Sequence, residues 1–175
     1  MSGAANTSKQ RFTFSARWLP GQIDRAAWRT TLTYRFHPRL TAGVEYNPSV
    51  GEFKPLINFL LLTETVKRPA VMLGTSTDRL GTPSGQSFYA TVSKSIRRET
   101  GLPIAPYVGV AYGTYEHRWL PLAGVNVTLT KRLSTGLTFN GVDTHGTVNY
   151  SFDRHVVSLV MVRMHEPGVS YSIVF

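Results

Sequence analysis

Arg11-Phe12-Thr13-Phe14-Ser15-Ala16-Arg17-Trp18 is the stretch whose reading decides the fold. In an extended chain successive side chains point to opposite faces. Phe12, Phe14, Ala16 and Trp18 therefore share one face, and Arg11, Thr13, Ser15 and Arg17 share the other. The pattern returns at 28–36, where Trp28, Leu32, Tyr34 and Phe36 oppose Arg29, Thr31, Thr33 and Arg35. It returns again at 40–46, with Leu40, Ala42, Val44 and Tyr46 opposite Thr41, Gly43 and Glu45. Period-two alternation of this kind specifies a β-strand with one apolar face and one face that is small or charged.

Working outward, the same reading predicts strands at 56–65, 70–77, 86–96, 105–115, 121–130, 134–140, 146–152, 155–164 and 168–175. That makes about twelve strands, or ten if neighbours merge, near the length that a tilted membrane strand requires. The predicted class is all-β. Its connections fall into two kinds that take turns along the chain. Tight, basic ones are His37-Pro38-Arg39, Val66-Lys67-Arg68-Pro69, Lys131-Arg132 and Asp153-Arg154, with 96–103 a looser member. Longer ones, or ones richer in turn residues, are 19–25, 47–54, 77–85, 116–119, 141–145 and 165–168. Successive connections of an up-and-down sheet lie on opposite rims, so this order predicts a closed antiparallel barrel with short turns on one rim and longer loops on the other. The basic turn residues Arg39, Lys67, Arg68, Arg97, Arg98, Lys131, Arg132 and Arg154 are then expected on a single rim.

Composition narrows the partners. Nineteen Lys and Arg against ten Asp and Glu give a formal charge of +9, which favours anionic partners, including lipid head groups. The absence of cysteine excludes disulfides, thiolate metal sites and a Cys nucleophile. The small, polar start, Met1 to Gln10, carries none of the apolar run of a secretory signal. The longest apolar run, 56–62, is too short for a membrane helix of ~20 residues, so any membrane crossing must be made by strands. Residues 1–9 are expected to be a disordered tail and 10–175 a single barrel domain.

The last segment, Gly168-Val169-Ser170-Tyr171-Ser172-Ile173-Val174-Phe175, alternates large apolar residues with small ones and closes on an aromatic. Here the sequence resembles bacterial outer-membrane β-barrel proteins, whose final strand ends in this way. The resemblance implies a transmembrane barrel in the outer membrane and recognition of the last strand by the barrel-assembly machinery. Hydrocarbon supplies no hydrogen bonds, so β-structure spans a bilayer only when closed, with apolar residues on the lipid side and aromatic residues at the two interfaces. Trp18, Trp28, Tyr34, Phe36, Tyr46, Tyr171 and Phe175 are the expected lipid-facing or girdle residues. Arg11, Arg17, Arg29 and Arg35 are expected in the lumen as a cationic ladder that favours anions, with Glu45 placed to pair with Arg35.

The expected function is a narrow anion-favouring pore or a structural membrane component. The alternative is a soluble barrel or sandwich that binds an apolar or anionic ligand in its interior. No catalytic residue, cofactor or metal is predicted. His37, His117, His145, His155 and His165 lack metal-ligand spacing, Thr82-Pro83-Ser84-Gly85 lacks the context of a nucleophile elbow, and no Gly-rich phosphate loop is present. Asp143-Thr144-His145 invites comparison with outer-membrane lipases but lacks the matching serine. Nucleic acid is not an expected partner, because the arginines alternate with aromatics along the whole chain instead of clustering in one recognition element.

Overall fold

The computed structural model describes residues 9–175; the expected tail, apart from Lys9, lies outside the described residues. Twelve strands follow one another: β1 Phe12–Trp18, β2 Trp28–His37, β3 Leu40–Asn47, β4 Glu52–Leu62, β5 Ala70–Thr77, β6 Gln86–Ser93, β7 Ile104–Gly113, β8 Arg118–Thr128, β9 Leu133–Phe139, β10 Thr144–Phe152, β11 His155–Val162 and β12 Glu166–Val174. Two four-residue helices sit in connections, α1 at Asp24–Ala27 and α2 at Arg97–Thr100. Each strand pairs antiparallel with the next, and β1 pairs with β12 to close the barrel. Closure satisfies the edges that an open sheet would leave unpaired. The seam is carried to its end at Phe175, whose carbonyl accepts from the amides of Arg11 and Phe12 and whose own amide donates to Phe12.

The predicted strands are all present, and their ends are refined. β4 begins at Glu52, not at 56, because the alternation continues through Phe53 and Pro55 outward and Lys54 inward. Pro55 is tolerated there: Ile57 is the last β4 residue paired to β5, so no cross-strand bond on that side needs the missing N–H.

Alternation of connections between rims holds, but alternation of length does not. One rim carries connections 38–39, 63–69, 94–103, 129–132 and 153–154 together with the first described residues and Phe175. The opposite rim carries 19–27, 48–51, 78–85, 114–117, 140–143 and 163–165. The longest connection, 94–103, lies on the first rim, where short turns are expected; it folds α2 within itself. Charge distinguishes the rims where length fails. With each strand residue assigned to its nearer end, the first rim holds twelve Lys and Arg against three Asp and Glu, and the second holds seven against seven. The entire formal excess of +9 therefore sits on one end, here called the basic rim, and the other is the neutral rim.

Candidate functional site

Two surfaces carry the functional argument, the outer wall and the lumen. On the outer wall the apolar halves of the strands are uncovered around the barrel: Phe53, Trp119, Phe36 and Val108 are more than 60% exposed, and Val44, Val110, Leu137, Leu159 and Val169 stand in the same outward file. The fully buried apolar cluster is small by comparison, consisting of Leu19, Val160 and Val162 with Leu80 packed against it. The polarity of the barrel is thus inverted relative to a protein that buries its apolar face.

Aromatic residues on this wall collect in two bands. Near the neutral rim Trp18 stacks on Trp28 at 6.1 Å, Tyr46 on Phe53 at 4.4 Å, and Tyr112 packs against Trp119 at 5.3 Å. All three tryptophans of the chain lie in that band. Near the basic rim Phe12 contacts both Tyr34 (4.7 Å) and Phe175 (5.6 Å), Tyr34 meets Phe36 at 4.8 Å, and Phe152, His155 and Tyr171 form a continuous row. The expected girdle residues are therefore sorted into two bands, Trp18, Trp28 and Tyr46 in one, and Tyr34, Phe36, Tyr171 and Phe175 in the other.

The lumen is of mixed character, polar residues sharing it with buried Leu56, Leu60 and Leu120, and it is partly filled. The four predicted arginines do not form one ladder. Arg17 and Arg29 are register partners near the neutral rim. Arg35 lies near the basic rim and donates to the Gln10 carbonyl, while Arg11 sits at that rim and reaches the Tyr34 hydroxyl at 3.3 Å. Glu45 is almost fully buried and pairs with Arg29, not with the expected Arg35. Register explains the difference: Glu45 faces Thr31, two residues from Arg29 on the same side of the sheet, whereas Arg35 faces Thr41. Glu45 also accepts from Thr77 at 2.6 Å and Ser76 at 3.3 Å.

Deeper in the lumen two tyrosines lie flat along the wall. Tyr89 passes over Gly74 and donates to Asn58 two strands away; Tyr107 passes over Gly124 and donates to Thr138 at 2.8 Å. A Cβ at either glycine would stand 2.5 Å from a ring atom, so glycine is what allows each ring to lie down.

Two connections fold inward at the neutral rim. Leu80, from the β5–β6 connection, packs against an apolar cluster that includes Val160 and Val162 of β11, a strand six places from β5 around the twelve-strand barrel. Leu19, from the β1–β2 connection, completes this apolar plug. Arg25 of α1, 4% exposed, ties the two connections together: its Nε donates to the Thr82 carbonyl at 2.5 Å and its Nη2 to the Arg79 carbonyl at 2.7 Å and to Thr82 Oγ1 at 2.9 Å. Burial draws the Arg25 guanidinium below its ordinary pKa, opposed by Glu45 and Asp78. With its amide oriented by these neighbours, Asn47 donates to the carbonyls of Arg25 and Trp28, 3.2 Å each, and fixes α1 from below. Arg79 is tethered in turn to Glu116 at 2.5 Å, and Arg118 holds the same carboxylate at 2.8 Å. These two guanidinium groups keep Glu116 below the usual carboxylate range.

The basic rim is open. A cavity of about 700 Å³ lies there, bounded by Ser93, Asn126 and Ser134 on the barrel wall and by Lys94, Arg97 and Arg98 at the mouth, with Glu64 and Glu99 beside them. Lys94 is committed to the Val66 carbonyl at 2.8 Å and to Glu99 at 3.7 Å. The histidines lie apart from it. His145 faces the lumen near the neutral rim, 2.8 Å from Asn140 and accepting from the Arg163 amide, so it does not share the outward face on which the lipase comparison depends.

Sequence reading missed Leu19, Leu80 and Arg25, because they lie in connections where no periodicity operates. A large apolar residue stranded in each of two polar connections was the available signal. No family model matches the chain, and no curated protein shows significant similarity to it.

Proposed function

We propose that this chain is a membrane-spanning β-barrel of the outer-membrane type, closed at rest at its neutral rim, with its basic rim set against anionic head groups. One observation carries the reading: large apolar and aromatic side chains face outward and exposed around the barrel, while Ser, Thr, Asn and Arg share the interior with a smaller set of buried apolar residues such as Leu56, Leu60 and Leu120. In water such a surface far exceeds the few hundred Å² of contiguous apolar patch that a monomer tolerates. In a bilayer it is the stable arrangement, and the two aromatic bands fall where interfaces would be. The twelve basic residues of one rim support the same placement as a contact for lipid phosphate.

The plug makes a structural component, or a pore that opens only when connections 19–27 and 78–85 move, a better reading than a standing channel. The test is behaviour in solution and in bilayers. The folded chain is expected to require detergent, to migrate differently on a denaturing gel before and after boiling, and to leave a planar bilayer silent until residues 79–84 are deleted. A stable monomer in plain buffer would overturn the membrane reading and favour a soluble barrel that uses its basic cavity for a ligand; steady conductance by the intact chain would overturn the closed state.

A further inference from the structure

Beneath the plug lies a second, smaller chamber of about 130 Å³, lined by Arg17, Arg25, Arg29, Glu45, Ser76 and Asp78 among others. Its charges do not balance. Three guanidinium groups face two carboxylates, and the distribution is more uneven than the count. Arg25 is spent on backbone carbonyls and Thr82. Glu45 is taken by Arg29, Ser76 and Thr77. Asp78 is turned into the wall, where it accepts from the amides of Arg79 and Tyr115 and is wedged against Gly85 and Gly113. Arg17 is left over. Its Nε is fully buried and has no hydrogen-bond partner among the described residues, and the same is true of the Nε of its register neighbour Arg29.

Two like charges side by side with one carboxylate between them leave an uncompensated cation, and a buried polar N–H without a partner costs roughly 1–3 kcal/mol. Water satisfies an N–H group but not the charge. We propose that the chamber holds one small monovalent anion, of halide or nitrate size, against Arg17 and Arg29. The net charge of one sets the valence. The chamber is small, about 130 Å³, and its polar lining suits a compact, partly hydrated ion. The site belongs to the barrel interior, so it stands whether the outer wall meets lipid or not.

The test uses the folded full chain at constant ionic strength, with sodium chloride replaced stepwise by sodium gluconate. Chloride is expected to raise the unfolding temperature saturably, by roughly 5 °C at a hundredfold excess over its dissociation constant, and Arg17→Gln is expected to abolish that dependence. An equal rise in gluconate, or an undiminished chloride effect in Arg17→Gln, overturns the proposal. Because the variant could fail to fold, crystals of the unmodified chain grown in sodium bromide supply a second readout: an anomalous peak beside the Arg17 guanidinium supports the site, and water alone in that position sinks it.

Discussion

At the scale of single residues, Arg25 and Glu116 show how the plug is held. Arg25 replaces solvent with carbonyl oxygens of a connection more than fifty residues away, and hydrogen bonds from a buried charge are individually worth about 1.5–3 kcal/mol. Arg25→Met keeps much of the side chain's length and removes all of its donors, so it should cost the closed plug about 3 kcal/mol. If cleavage follows local opening, proteolysis within 78–85 should then accelerate roughly 100-fold, while the barrel strands remain protected. Unchanged cleavage would mean that the plug is held by Leu19 and Leu80 alone. Glu116 adds a pH dependence with a definite sign. Its carboxyl is depressed in the folded state, so the tether to Arg79 is fully present above the ordinary carboxylate value and is lost as pH falls through the depressed one. Protease sensitivity of 78–85 should rise below about pH 4, and Glu116→Gln should show that sensitivity at neutral pH and little further change in acid.

At the scale of elements, the paired Tyr–Gly crossings fix register. Asn58, Gly74 and Tyr89 lie in one line across β4, β5 and β6, and Tyr107, Gly124 and Thr138 in one line across β7, β8 and β9. A strand that slips by one residue puts its side chains on the wrong face, and here it would also move a Cβ under a ring. Gly74→Ala or Gly124→Ala must push Tyr89 or Tyr107 off the wall, at a cost of about 1–3 kcal/mol, as overpacking usually does. Gel-shift unfolding in urea should show the loss, and shortening the ring should rescue Gly74→Ala in part, as in Gly74→Ala with Tyr89→Leu, but not Gly124→Ala, whose Cβ also meets the Leu137 carbonyl at 2.5 Å. If Gly74→Ala proves neutral, the ring has room to stand up into the lumen and the crossing does not set register.

At the scale of the whole molecule the dominant fact is the segregation of charge. On the proposed membrane reading, a rim with twelve cations and three anions, bordered by an aromatic band, would meet anionic head groups at about 1 kcal/mol per basic residue near the surface. Replacing Arg97, Arg98, Lys131 and Arg132 together by Gln should reduce the preference for phosphatidylglycerol over phosphatidylcholine vesicles by roughly 100- to 1,000-fold at low salt, and much less at high salt, where screening already weakens it. Equal loss in both lipids would assign those residues to folding instead of to lipid charge.

The sequence by itself determined which side of most strands is apolar and which connections share a rim; it left the number at about twelve strands or ten, and 56–62 and 156–162 apolar on both faces, and the closed pairing decided for twelve. The first two properties follow from a two-residue period and from the order of connections, which are local features that tertiary packing has no means of rearranging. Arg17, Arg29 and Glu45 were legible as inward residues for the same reason, and Trp18, Tyr34 and Phe175 as outward ones. Only the tertiary structure decided that Glu45 takes Arg29 and not Arg35, because pairing depends on the offset between strands, which alternation leaves free. It alone joined Leu19, Leu80 and Val160 into a plug and drew Arg25 under connection 78–85. Those contacts bridge residues far apart in the chain through segments without a period, and their energy exists only once the barrel has closed and brought its far wall within reach.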